Sequence, residues 1–299
     1  MFKNILVPLD GSKLSEASLA PAAALAQKLH SHVLLLHVIE QDAPTEVHKE
    51  HHLTNADEAK AYLDEVAKRA FPAGVDVKTH VHTAPVSDVA SSIVDHAVHE
   101  FEPDLIVTCT HGRSGVRDVL FGSIAQKVVA QGMTPLLLIR PGSPPFKLDK
   151  ILVPLDPDSI HDDGLPLAEE LAKSCGAELL LLSVVPTFST LTGEEAAASS
   201  LMPGTTQAML DIREDGALTH FQKHIEDLLA KGIQASAEVA RGDPAPTIVK
   251  TGEQSGADMI ILSTHGKAGV GAFWSRSVAP HVAQRTRIPL LLIPLPSGE

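Results

Sequence analysis

The chain writes one pattern twice, and that repetition limits its fold more than any other feature. Lys3-Asn4-Ile5-Leu6-Val7-Pro8-Leu9-Asp10 returns as Asp149-Lys150-Ile151-Leu152-Val153-Pro154-Leu155-Asp156. Val33-Leu34-Leu35-Leu36-His37-Val38 returns at the same offset as Leu179-Leu180-Leu181-Leu182-Ser183-Val184. Pro103-Asp104-Leu105-Ile106-Val107 answers Ala257-Asp258-Met259-Ile260-Ile261, and Thr110-His111-Gly112 answers Thr264-His265-Gly266. Thr134-Pro135-Leu136-Leu137-Leu138-Ile139 answers Ile288-Pro289-Leu290-Leu291-Leu292-Ile293. Self-similarity at this scale means two copies of one structural unit. The boundary is expected in the Pro/Gly/Ser stretch 141–147, which gives domains 1–142 and 147–299.

Within a copy, short apolar runs alternate with amphipathic stretches. In the first, strands are expected at about 4–9, 33–39, 75–82, 104–109 and 135–139. Helices are expected at about 15–30, 55–70, 86–100 and 123–131. Leu19, Ala22, Leu25, Ala26 and Leu29 form an apolar stripe, repeated by Leu165, Ala168, Leu171, Ala172 and Cys175. Continuous apolar strands between helices imply a parallel sheet covered on both faces. The predicted fold class is therefore α/β: two tandem, doubly wound, Rossmann-like domains. The second copy carries extra residues between Val184 and Gly232; residues 187–206, rich in Ser, Thr, Gly and Ala, read as a mobile loop.

Composition excludes several functions. A net charge of −13 argues against a nucleic-acid surface, and scarce aromatics against base stacking. Cys109 and Cys175 are the only cysteines, so no disulfide framework is expected. No apolar run is long enough to span a bilayer. The sequence enters Ile5-Leu6-Val7 almost at once, leaving no room for a signal peptide, and a cytoplasmic setting is expected.

The chemistry concentrates after the fourth strand of the first copy. Leu105–Val107 leads into the glycine-bearing loop 111–115, and Gly122-Ser123 opens a helical segment. A helix start presents unpaired N–H groups and positive dipole to an anion, and glycine lets a phosphate approach the backbone. Ser123 adds a hydroxyl there, and Arg113 and Arg117 flank the loop. An ordinary strand-to-helix turn is the alternative. Neither a Walker A loop nor a dinucleotide fingerprint occurs. His48-x-x-His51-His52, His96-x-x-His99 and the pair His80 and His82 have metal-compatible spacing, but exposed polar histidines without a dedicated metal are the expectation. No nucleophile elbow surrounds Ser123, and Cys109 has no deducible base.

In these residues the chain resembles the universal stress protein family in its tandem form, over essentially its whole length. The family's nucleotide motif, Gly-x2-Gly-x9-Gly-[Ser/Thr], aligns with Cys109, Gly112 and Gly122-Ser123, with cysteine replacing the first glycine. In the second copy it aligns with Ser263, Gly266 and Arg276-Ser277, so two of its glycines are gone. The resemblance implies ATP, with or without Mg²⁺, in the first copy. Asp10 and the backbone of Val38 would meet adenine, and Pro8 and Cys109 the ribose. Gly112, Gly122, Ser123 and Ile124 would hold phosphates, with Arg113 beside them. It further implies a stress-response binding role with at most slow ATP hydrolysis, and an unidentified protein partner. The last strands of the two copies would pair as an intramolecular pseudo-dimer, which leaves room for a further homodimer. A nucleotide-free scaffold and an adenylyl- or phosphoryl-transfer enzyme are the alternatives.

Overall fold

The computed structural model describes residues 1–43, 46–47, 50–97, 101–110, 123–131, 134–155, 164–265 and 278–295. In chain order the strands and helices are β1 (Asn4–Pro8), α1 (Leu19–Leu29), β2 (His32–Glu40), β3 (Glu46–Val47), β4 (Glu50–His51), α2 (Ala56–Ala70), β5 (Asp76–Val86), α3 (Val89–His96), β6 (Leu105–Cys109), α4 (Ser123–Gln131) and β7 (Leu136–Ile139). The second copy continues with β8 (Lys150–Pro154), α5 (Leu165–Cys175), β9 (Glu178–Val185), α6 (Gly193–Leu201), α7 (Pro203–Ala230), β10 (Ala235–Arg241), α8 (Pro244–Ser255), β11 (Met259–His265), α9 (Val278–Arg285) and β12 (Leu290–Leu295). Two compact units emerge: Met1–Lys147 with Thr264–Glu299, and Leu148–Ser263.

In the first unit the strand order is β12-β7-β6-β1-β2-β5. All neighbours are parallel except β12 and β7. There Leu290, Leu291 and Leu292 lie opposite Leu138, Leu137 and Leu136, so the expected pairing of the two copies' last strands is present. Ile5, Leu6 and Val7 are at most 1% exposed, which is why β1 reads as an unbroken apolar run. On α1 the predicted stripe is buried at Leu19, Ala22, Leu25 and Ala26, while Leu29 is half-buried at the last turn. Asp104 fastens the start of the sheet, accepting from the Lys3 N–H at 2.6 Å and the Asn4 N–H at 2.9 Å.

The second unit repeats this frame as β10-β9-β8-β11, all parallel. Asp258 does there what Asp104 does in the first, accepting from Asp149 N–H at 2.9 Å and Lys150 N–H at 3.0 Å. The stretch expected as a mobile loop is instead largely helical. It contains α6 and the start of α7, a helix of 28 residues. Glu194 and Glu195 sit in the first turn of α6, where the dipole favours them, and alanines with high helix propensity follow. Pro203 then begins α7 at a position that tolerates proline. Leu210, Ala217, Phe221 and Leu228 are each at most 2% exposed, at helical spacing along one side of α7. Arg213 reaches back to Glu195 at 2.5 Å, and Arg241 of β10 reaches Asp211 at 2.7 Å. This packed face lies beyond residue 206, C-terminal to the stretch expected as a loop.

Candidate functional site

In the first unit the chain winds outward from β1 through β2 to β5, then returns to the opposite side with β6 and β7. The reversal lies between β1 and β6, where Ile5 and Leu6 pair with Leu105 and Ile106. Open α/β sheets take their ligands beyond the carboxyl ends of strands at such a reversal. Those ends here are Pro8-Leu9-Asp10 and Cys109-Thr110. Backbone bonds carry both ends past their strands: Leu9 N–H donates to Leu36 O at 2.9 Å, and Thr110 N–H to Ile139 O at 2.8 Å. Pro8 and Cys109 are buried at these ends, Val38 is buried on adjoining β2, and Asp10 is half-buried.

Asp10 is held by its own turn. Its Oδ1 accepts from the Ser12 N–H at 2.9 Å and the Ser12 hydroxyl at 2.6 Å. Ser15 closes the turn, donating its hydroxyl to Ser12 O at 2.8 Å. The turn depends on Gly11, which has φ +88° and sits against Leu53; a Cβ there would lie 2.8 Å from Leu53 Cδ1. An aspartate so fixed offers its remaining oxygen as an oriented acceptor.

Sequence reasoning missed the residues that cross this turn. His37, 2% exposed, turns Nδ1 toward Leu9 O at 2.8 Å and Nε2 toward Leu53 O at 3.2 Å. It thereby ties the end of β1 to the segment after β4. Next to Leu53, His52 is 5% exposed, and its Nε2 has no hydrogen-bond partner among the described residues. Burial, then the neighbouring His37, pulls the His52 ring below the usual histidine range, against a smaller opposing pull from Asp10. The sequence signal was an apolar-flanked histidine in an otherwise unbroken strand; only the fold shows what it reaches.

The predicted phosphate helix is α4, which begins at Ser123 and continues through Ile124. It is moored by Lys127, whose ammonium donates to Asp88 Oδ2 at 2.8 Å and to the Ser91 hydroxyl at 2.6 Å. Asp88 also caps α3, accepting from Ser91 N–H at 2.9 Å. Lys127 first, and the Ser91 backbone second, hold the Asp88 carboxyl down at about 2. Gly112, Arg113 and Gly122 lie outside the described residues. The structure therefore brings Pro8, Asp10, Val38 and Cys109 to neighbouring strand ends and starts a helix at Ser123.

Of the metal-compatible histidines, His48 and His99 lie outside the described residues. His51 pairs with Glu58 at 2.9 Å. His80 and His82 both contact His96, with ring centroids at 5.4 and 4.7 Å. Among the described residues no group of three histidine, cysteine or carboxylate side chains is placed to hold a metal ion. Nor, among them, is any helix long and apolar enough to cross a membrane.

Comparison with known proteins matches this chain twice to one family model, that of the universal stress protein family, over residues 1–140 and 147–294. A universal stress protein of Mycobacterium bovis is 22% identical over 297 residues, covering 97% of this chain and 96% of that protein. One from Thermus aquaticus is 30% identical over 150 residues, 47% of this chain and 100% of that protein. Among solved structures, a universal stress protein from Archaeoglobus fulgidus superposes with a TM-score of 0.67 at 19% identity, covering 97% of this chain and 95% of that one.

Proposed function

Since the chain belongs to the universal stress protein family, as a tandem member, we propose that its first repeat binds ATP and that the chain works by binding rather than by turnover. One observation carries this reading. The strand ends at Pro8–Asp10 and Cys109 lie side by side where the winding reverses, with Val38 on adjoining β2 and the Asp10 carboxylate already oriented by Ser12. Asp10 and the Val38 backbone would receive the adenine, and Pro8 and Cys109 the ribose. Gly112, Arg113, Gly122, Ser123 and Ile124 would surround the phosphates at the start of α4, where helix N–H groups favour an anion. Mg²⁺ would accompany the phosphates. ATP held at the glycine loop would change a surface that a protein partner reads.

The second repeat has Arg276 where the first has Gly122, and Ser263 where the family has glycine. An arginine tolerates an anion, but its side chain fills space and disfavours a glycine-type backbone by about 1 kcal/mol. One nucleotide per chain follows. Calorimetry of the intact protein with ATP tests this, together with mass spectrometry of nucleotide retained on gentle purification. A stoichiometry near one supports the reading. No binding and no retained nucleotide would leave the scaffold reading, and rapid acceptor-dependent ATP consumption would favour the transferase.

A further inference from the structure

The last third of α7 carries two histidines one helical turn apart, His220 and His224. Residues four apart share a helix face. Their rings stand at 86° to each other with centroids 4.4 Å apart, and the two Nε2 atoms face one another at 3.0 Å. Both side chains are half-buried, so neither is sealed from solvent. Their backbones are fixed by the packing of the same helix, since Phe221 and Leu228 are each 2% exposed.

Two nitrogens that converge this closely either share one proton or share one cation. Zinc–nitrogen bonds of about 2.0–2.1 Å to nitrogens 3.0 Å apart subtend roughly 94° at the ion. That angle lies between the right angle of neighbouring ligands in square or octahedral coordination and the tetrahedral angle. The spacing therefore suits two bonds to one ion, provided each histidine carries its proton on Nδ1. We infer that His220 and His224 form a binding site for a late first-row divalent cation, of the Zn²⁺, Cu²⁺ and Ni²⁺ class that imidazole favours. Water completes the coordination. With two protein ligands the site is weaker than a four-ligand structural zinc site. The net charge of −13 favours cation capture.

The pair His82 and His96 shows why nearness alone is not enough. Its Nδ1···Nε2 separation is 2.7 Å. The same metal bonds would be squeezed to roughly 82°. His96 is also only 7% exposed and is packed by His80 and Phe101. That pair is a hydrogen bond.

The site on α7 is independent of the nucleotide reading, and its test uses Zn²⁺ on the full-length, metal-stripped protein. Calorimetric titration is expected to show one zinc equivalent whose affinity falls by at least about tenfold in both His220→Ala and His224→Ala. Zinc should raise the melting temperature of the parent protein and not of these variants, because it binds only the folded chelate. Alanine is a good helix former, and circular dichroism confirms that the variants fold. A further variant, His224→Ala with Gln222→His, keeps the histidine count but sets the rings on different helix faces. It should bind as weakly as His224→Ala. Isotherms unchanged by either alanine, or parental affinity in the rearranged variant, would overturn the chelate.

Discussion

His37 and Ser183 hold the same place in the two repeats and behave differently. His37 reaches two carbonyls, Leu9 O and Leu53 O, and so fastens the segment after β4 over the Asp10 turn. Ser183 is fully buried, and its hydroxyl has no hydrogen-bond partner among the described residues. Around this position the frame is otherwise copied bond for bond. Leu9 N–H donates to Leu36 O at 2.9 Å, and Leu155 N–H to Leu182 O at 2.8 Å. Asp104 and Asp258 fasten equivalent strand starts. Between the second and third sheet strands of each repeat the copies diverge. The first has a two-strand hairpin and a 15-residue helix, the second α6 and the 28-residue α7. The two repeats thus share the sheet frame and differ in the elements between their second and third sheet strands.

The sharpest way to break this comparison is to exchange the motif residues. Gly122→Arg should abolish ATP binding measured by calorimetry, a loss of at least ~100-fold if the side chain fills the phosphate position. Arg276→Gly in the second repeat should leave the stoichiometry near one, because Ser183 still stands where the first repeat has His37. Two sites in the parent protein, or binding that survives Gly122→Arg and disappears with Asp156→Ala, would assign the nucleotide to the other repeat.

Exchanging the bridge residue is the next largest effect. His37→Ser removes the ring N–H that one of these carbonyls accepts and opens a cavity, at a cost of about 2–3 kcal/mol in denaturant unfolding. Faster amide exchange should concentrate in residues 50–54. Ser183→Ala removes an unpaired buried hydroxyl and should be neutral or stabilising by up to about 1 kcal/mol. Equal losses at the two positions would mean that the difference between the repeats is not energetic.

A smaller test lies at the ends of α1 and α5. The helices stop alike, with a left-handed residue whose N–H returns to the fourth residue before it: His30 to Ala26 O, Gly176 to Ala172 O. Glycine accepts that conformation freely, whereas His30 holds φ 55° with a side chain attached. His30→Gly should raise stability by about 0.5–1 kcal/mol, read as a shift in thermal midpoint. No gain would show that the His30 side chain makes a compensating interaction.

Much of the frame was legible because it is written in uninterrupted apolar runs and repeated glycines, prolines and aspartates. β1, β2, β6 and β7 fall within a residue or so of their expected bounds, since strands buried on both faces have little choice of composition. The helices of the insertion were not legible. Residues 187–206 are rich in Ser, Thr, Gly and Ala, and α6 has no buried face, so this stretch resembles a solvated loop until its backbone is known. The same blindness hid His220 and His224, whose spacing carries meaning only on a helix. Of the candidate site, the strand ends and the start of α4 could be read. The crossing segment with His37, His52 and Leu53 could not, because which carbonyl a buried histidine meets is decided by tertiary contact.

The smallest effect concerns the mooring of α4, which the first repeat builds from Asp88, Ser91 and Lys127. Asp88 has its carboxyl held down at about 2, first by Lys127 and then by the Ser91 N–H. A depressed carboxylate contributes stability that is fully present above its unfolded value near 3.9 and is lost as pH falls through the folded value. The window is therefore pH 4 down to about 2, with the loss growing toward the acid end. Both side chains are about half exposed, so solvent screens the ion pair and the contribution is a few tenths of a kcal/mol rather than the full shift. Asp88→Asn keeps a capping oxygen for Ser91 but drops the charge. It should flatten this part of the acid stability curve while changing stability at pH 7 by no more than about 0.5 kcal/mol. If α4 offers its N-terminus to phosphate, the same variant should weaken ATP binding a few-fold near neutral pH, where the mooring is intact in the parent. A variant with an unchanged acid limb would show that Lys127 finds its partner elsewhere, and that α4 is held by its apolar face, Ala125 and Val128, alone.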